Sequence, residues 1–386
     1  MIAEPYLVLF CGGMGGTLVE EALAAALHAC ALDTLDEALA TGAYGGAVVV
    51  ADGAAARAFD GRLPAGVRLD VDRPGAVFHF GRRLGEVIRR YGLERPVYIG
   101  CGLPLIKGDE LAAVASVLAA ADAAVVSNNF FSADLAGFVP GSAVRDLVLP
   151  DNDRILPRFL AQNAGLANRA LPRTMANQFD LDTPGDLAVL AWAGGGGPRL
   201  TAHMERHPLP AEPLATAARF MTDRDAEVLV SGRVNAQVFQ YLATETACRT
   251  RVYSEERGMQ AAGRDLSGES RTLVGYHLQA VGPRRFFEEL ATMANAAFID
   301  TRPLFSQMGL QASRPDRFAS DALLPEAVSQ PWIRELTAAA RDAPIPVVLG
   351  ASTLVNSGIQ LLNEAAWRER DRQEAEYRAR GRASGA

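Results

Sequence analysis

The chain reads as α/β in two parts: an amino-terminal mixed sheet flanked by helices, followed by a second, smaller α/β domain. Three observations predict this. Short apolar runs at residues 6–10 (YLVLF), 47–51 (AVVVA) and 97–99 (VYI) have the length and composition of strands buried on both faces. Turn residues and then helical stretches follow such runs, as when helices cover a parallel sheet. At 386 residues the chain also exceeds what one hydrophobic core organises, so two domains are the default.

Composition narrows the class. Hydrophobic residues make up 49% and charged residues 22% of the chain, the balance of a soluble globular protein. The net charge of −7 argues against a nucleic-acid partner. No apolar run reaches the length that spans a membrane. Cys11, Cys30, Cys101 and Cys248 lie far apart without C-x-x-C spacing, which suits reduced, mostly buried thiols. With no basic leader ahead of the first strand, the expectation is a cytoplasmic protein, and a homo-oligomer is left open.

The first strand, residues 6–10, runs into CGGMGGT and then a helix through about residue 30. Bare glycine N–H groups between a strand and a helix start can cradle phosphate oxygens, so Cys11, Gly12, Gly13, Met14, Gly15 and Gly16 are candidate nucleotide contacts. The spacing is not the dinucleotide fingerprint, since Leu18 stands where a third glycine is required, and no Gly-Lys-Ser/Thr makes it a P-loop. Residues 47–51 form a second strand ending at Asp52-Gly53, and residues 67–71 a third. Residues 78–90 read as an amphipathic helix whose Arg82, Arg83, Arg89 and Arg90 form a solvated face.

Residues 95–111 (RPVYIGCGLPLIKGDEL) then carry a strand through a sharp turn to a helix start, and ligands of α/β sheets bind at such carboxyl ends. Lys107, the one lysine among 38 basic residues, stands there; a turn beside a solvated lysine is the structural alternative. Residues 123–127 give a strand ending at Asn128 and Asn129, two further candidate nucleotide contacts, and residues 135–139 another strand. The acids at 151–153 suit an N-cap for a helix over 155–163. In FDLDTPGDL, residues 179–187, Phe179 and Leu181 alternate with Asp180 and Asp182, placing both carboxylates on one face of a short strand. Thr183, Pro184 and Asp186 make a good helix start. Paired acids at such a junction suit Mg²⁺, which takes a few carboxylates plus phosphate oxygens.

CGGMGG, GCGLPLI and FDLDTPGDL, in that order and spacing, resemble the motifs of the GT-A-like nucleotidyltransferases, particularly molybdopterin and phospholactate guanylyltransferase relatives. The resemblance covers residues 1–195 and implies a GT-A-like (Rossmann-like) fold. It also implies transfer of a nucleoside monophosphate from a GTP- or CTP-type nucleotide to a small phosphorylated acceptor, with Mg²⁺ on Asp180 and Asp182. The family's central strand ends Gly-Asp-x-Pro, its Asp holding the metal; here Cys101-Gly102-Leu103-Pro104 puts Gly102 at that position. After CGGMGGT, Leu18, Val19, Glu20 and Glu21 replace the family's basic residues. Lys107 could partly substitute electrostatically, so Lys107, Asp180 and Asp182 are the candidate catalytic set and Gly102 joins the nucleotide contacts. These departures keep open a divergent nucleotide- or anion-binding regulatory protein.

Residues 196–214 read as a linker. The second domain, residues 215–370, has strands at 227–230, 251–254, 297–299 and 346–349, helices between them, and a charged tail at 371–386. Its strand ends bring Ser231, Arg233, Arg257, Asp300, Arg302 and Ser352 into a candidate anion site, because arginine with Ser/Gly turns suits phosphate or carboxylate. Internal ion pairs are the alternative there, and an enzyme with its active site in this domain is a third reading.

Overall fold

The computed structural model describes residues 4–209 and 212–383. The chain begins β1 (Tyr6–Cys11), α1 (Leu18–Ala40), β2 (Ala47–Ala51), α2 (Gly53–Phe59), β3 (Val67–Val71), α3 (Phe80–Tyr91), β4 (Pro96–Gly100) and α4 (Gly108–Ala119). It goes on through β5 (Ala124–Ser127), β6 (Leu135–Val139), α5 (Leu156–Asn163), β7 (Ala167–Ala170), α6 (Met175–Gln178), α7 (Pro184–Ala193), α8 (Pro198–Arg206) and α9 (Glu212–Arg219). Next come β8 (Glu227–Gly232), α10 (Ala236–Glu245), β9 (Arg249–Ser254), α11 (Arg264–Ser267), α12 (Leu273–Val281) and α13 (Pro283–Leu290). The remainder is β10 (Ala296–Asp300), α14 (Arg302–Gln307), α15 (Arg314–Asp321), α16 (Pro331–Arg341), β11 (Val347–Gly350) and α17 (Ile359–Ala383). Two compact units result: Met1–Leu181 with Gly196–His207, and Asp182–Gly195 with Pro208–Ala386.

In the first unit a seven-stranded sheet runs β3-β2-β1-β4-β6-β5-β7, with β6 antiparallel to β4 and β5 and the other pairings parallel. The two-residue period of a strand sorts its side chains. Leu7, Leu9, Val49, Val97 and Ile99 go to a core covered by α1, α2 and α4, whereas Val8, Val48, Val50 and Tyr98 go to one covered by α3 and α5. Both faces are therefore dry, which is why these strands are apolar throughout.

Four elements depart from the sequence expectation. Phe179 and Leu181 are buried as alternation requires, but residues 179–182 form no strand; Leu181 N–H donates a single bond to Gly102 O (2.8 Å). The stretch read as a linker carries α8 and the start of α9, α8 because Pro198 supplies the preset φ of a first helical position after the glycine run. The α3 arginines are not all solvated: Arg83 bridges Asp70 (2.8 Å) and Asp72 (2.6 Å), and Arg90 meets Asp70 at 2.5 Å. The acids before α5 do not cap it; Asp153 accepts the Tyr98 hydroxyl instead.

In the second unit four parallel strands run β11-β10-β8-β9. Leu229, Ala297, Ile299, Val347 and Leu349 share a core with Phe286, Phe287 and Leu290 of α13 and Ile333 and Leu336 of α16. Here α7 has its capping box as expected: Thr183 Oγ1 accepts from Asp186 N–H and Asp186 Oδ2 from Thr183 N–H. No helix among the described residues is long and apolar enough to cross a membrane.

Candidate functional site

The strand order of the first unit locates the site. From β1 the chain steps outward to β2 and β3, then returns to β4 on the opposite side of β1. Loops leaving β1 and β4 thus diverge, and such a switch point opens a crevice at the carboxyl ends. The loop after β1 is the glycine turn. Gly13, Gly15 and Gly16 have φ of 72°, 141° and 122°, conformations that side chains with a Cβ rarely adopt, so this backbone path needs glycine. Thr17 closes it as the N-cap of α1, accepting from Glu20 N–H.

A cavity of about 570 Å³ lies against this turn, lined by residues 11–16, Glu21, Ala24, Ala25, Leu27 and His28 of α1, and Asp52, Ala54 and Ala55. That volume holds a small organic molecule. Asp52 organises its rim. Oδ1 accepts from Ala54 and Ala55 N–H (both 2.8 Å), capping α2, and Oδ2 accepts from Gly13 N–H at 2.7 Å. Burial raises the Asp52 pKa, but these backbone donors and His28 outweigh it, so the group lies below its ordinary value. One N–H of the expected cradle is thus already taken by a carboxylate, and a Cβ on Gly12 would stand 2.9 Å from Asp52 Oδ2. His28 is lowered, burial and Arg62 outweighing Asp52. Asp52, Glu21 and His28 were missed in the sequence; the available signal was an acid at the end of the strand next to β1.

On the β4 side of the switch point, Cys101 and Gly102 follow the strand. The Cys11 thiol is pushed well up by its hydrogen bond with Cys101 and by burial, and burial pushes Cys30 up as well. All remain free thiols, as expected. Asp180 stands beside Gly102: a Cβ there would lie 2.4 Å from Asp180 Oδ1, with Leu181 backbone at 3.4 Å. The glycine is what lets the carboxylate occupy this position. Asp182 opens the second unit, where its N–H donates to Asp186 Oδ2. Among the described residues no group of three or more His, Cys, Asp or Glu side chains is gathered as a metal site.

Three other candidates fall elsewhere. The Lys107 ammonium lies 3.7 Å from Glu37, beside the C-terminal half of α1, and does not line the glycine cavity. Asn128 is buried and holds the β5–β6 loop: its Oδ1 accepts from Asp134 and Leu135 N–H (both 3.1 Å), and its Nδ2 donates to Asn177 O (2.7 Å). Asn129 Oδ1 accepts from Phe131 N–H and the Arg173 guanidinium.

In the second unit the strand ends converge, but on one another. Arg233 grips Asp300 with Nε–Oδ2 at 2.6 Å and Nη2–Oδ1 at 3.0 Å, both side chains buried. Arg302 grips Asp321 the same way, at 2.9 and 2.5 Å. Burial opposes the Arg302 charge, yet Asp321 outweighs it and the pKa is raised. Asn356 ties Ser352 to the Arg233 carbonyl, Ser231 is buried and Arg257 exposed. At the expected anion site the guanidinium faces of Arg233 and Arg302 are met by aspartates, the ion-pair arrangement given as the alternative.

No family model matches the chain, and no curated protein matches it. Similar solved structures include a cytidylyltransferase from Leptospira borgpetersenii, 13% identical, covering 53% of this chain and 95% of that one with a TM-score of 0.39. A nucleotidyl transferase from Methanothermobacter thermautotroptrophicus is 15% identical over 47% of this chain and 94% of its own, TM-score 0.36. Rv0371C from Mycobacterium tuberculosis, solved in complex with manganese, is 15% identical over 48% and 96%, TM-score 0.32. Each of these matches spans about half of this chain.

Proposed function

We propose that the first unit binds a nucleoside triphosphate of the GTP or CTP type in the glycine cavity and belongs to a nucleotidyl-transfer reaction. Such a reaction breaks the α–β phosphoanhydride, joins the nucleoside monophosphate to a small phosphorylated acceptor and releases pyrophosphate. The observation that carries this reading is a cavity of about 570 Å³ at the carboxyl ends of β1 and β2, next to the switch point of the 3-2-1-4 strand order, walled by a turn whose Gly13, Gly15 and Gly16 take φ values that other residues rarely adopt. Asp52 and Glu21 suit the hydrogen-bond donors of a base or ribose better than bare phosphate, so the phosphates extend from the cavity toward the β4 side, where Asp180 stands.

Mg²⁺ takes one or two carboxylates and completes its shell with phosphate oxygens and water. Asp180 fits that role together with a bound nucleotide, and Gly102 leaves room for its carboxylate. When bound, the ion would neutralise charge on the phosphates. Asp182, two residues on in the other unit, and Lys107, which precedes α4 and pairs with Glu37, are given no part. A second reading, nucleotide binding without transfer, is favoured by Gly13 N–H being held by Asp52 and, among the described residues, by the lack of a cluster of three or more His, Cys, Asp or Glu side chains that could hold a metal.

Thermal unfolding with GTP or CTP, with and without Mg²⁺, tests both. The transfer reading expects stabilisation that Mg²⁺ enhances and that Asp180→Asn abolishes. Stabilisation indifferent to Mg²⁺ selects the binding reading, and no stabilisation by any nucleotide removes both.

A further inference from the structure

A second cavity, of about 500 Å³, lies in the same unit where α8 packs on α1 and the end of α2. Six of its lining side chains carry or can carry positive charge: His28, Arg62, Arg199, His203, Arg206 and His207. The remaining lining residues are alanines, and no carboxylate lines it.

The guanidinium groups are not all neutralised from within. Arg199 is held by Asp33 and Asp36. Arg62 and Arg206, by contrast, have no carboxylate within ion-pair distance among the described residues; Arg62 Nη1 donates to Ala58 O (3.2 Å) and Arg206 Nε to Ala202 O (2.9 Å), each a carbonyl one turn back on its own helix. Both side chains are exposed and have donors left over. The His203 and His207 rings lie 4.8 Å apart. Burial, then His207 and Arg206, lower the His203 pKa against the pull of its hydrogen bond to the Ala22 backbone.

We propose that this cavity is a binding site for a small, multiply charged phosphate-type anion, gripped by Arg62 and Arg206 and flanked by His203 and His207. A forked guanidinium on either side suits tetrahedral oxyanions. The volume has room for a phosphorylated metabolite, and a smaller pyrophosphate can reach both arginines from solvent. This cavity shares Ala25 and His28 with the glycine cavity but none of the glycines, and it takes its anion whether or not a nucleotide sits next door.

Titration calorimetry on the full chain, with pyrophosphate, inorganic phosphate and glucose 6-phosphate as separate probes and no nucleotide or Mg²⁺, tests it. Pyrophosphate binding tighter than phosphate is expected, and each of Arg62→Ala and Arg206→Ala should weaken it by about 10-fold or more. Both arginines are exposed, so an unchanged unfolding temperature will show that the variants are folded. Nitrogen shifts of the His203 and His207 imidazoles should move on saturation. Tighter binding of glucose 6-phosphate would identify a phosphate ester as the ligand, and tighter binding of pyrophosphate an inorganic one; either supports the site. Absence of binding by all three probes overturns it. So does binding that survives the Arg62→Ala/Arg206→Ala pair, or that disappears only with Asp52→Asn, which would place the anion on the glycine turn.

Discussion

Replacing Gly102 with alanine puts one methyl group where the fold leaves none. The added Cβ would stand 2.4 Å from Asp180 Oδ1, about 1 Å inside ordinary contact, while the Leu181 backbone at 3.4 Å is undisturbed. The obstructing atom is the end of a side chain, so the carboxylate turns aside and the backbone stays. Holding it off its rotamer costs about 0.5–1.5 kcal/mol, or roughly 1–6 °C in a unit of this size. The consequence for a bound cation is larger: a roughly 100-fold loss of metal affinity, about 2.7 kcal/mol of ligand-linked stabilisation, would remove the magnesium increment. Differential scanning fluorimetry of Gly102→Ala, with nucleotide and with nucleotide plus Mg²⁺, should therefore show a small loss in the free protein and a missing magnesium increment. An increment equal to that of the unaltered protein refutes Asp180 as the metal's carboxylate. A loss above roughly 10 °C without ligand refutes the idea that this carboxylate can yield.

Other outcomes follow from the same structure. Asp186 is fully buried, and burial, with Asp182 and Asp321 nearby, raises its pKa to about 8 against the pull of its Thr183 bonds. The unfolded carboxyl ionises near 4, so stability from this group is complete below that pH and declines as pH climbs to about 8. Asp186→Asn should flatten a slope of up to about 1.4 kcal/mol per pH unit in denaturant titrations between pH 5 and 8. Asp300→Ala leaves Arg233 buried and unpaired and should cost about 3–5 kcal/mol, whereas the paired change Arg233→Met/Asp300→Leu should recover most of it; equal losses in both would contradict the ion-pair account. Asp52→Ala removes the α2 cap and should cost about 1–2 kcal/mol by chemical denaturation, and it takes the acceptor of the Gly13 N–H out of the cavity rim, so nucleotide affinity should change by more than stability does.

Buried strands were legible because both faces of the seven-stranded sheet's centre are covered, and residues 47–51 or 135–139 spell burial without alternation. By the same logic β7 was invisible: all four of its residues are exposed at the sheet edge, and ANRA carries no apolar signal. Phe179 and Leu181 misled because a buried extended segment alternates as a strand does, with or without a ladder. The glycine turn announced itself through composition. Its partners did not, since Asp52 comes from a neighbouring strand and His28 from three turns into α1, and only the fold sets them side by side. Arginines such as Arg233 and Arg302 look like anion clamps in a sequence, where the aspartates facing them lie 67 and 19 residues away.

Residues 182–195 build the second unit, after which Asp33 on α1 draws residues 199 and 200 back into the first by accepting both of their N–H groups, at 3.1 and 3.0 Å. The chain crosses from one body to the other three times within some twenty-five residues. A single cut cannot separate them: ending a fragment at 195 strands α7 without its partners and strips α8 from α1. On the ribosome, the first body has to wait for its last helix until a piece of its neighbour has already emerged.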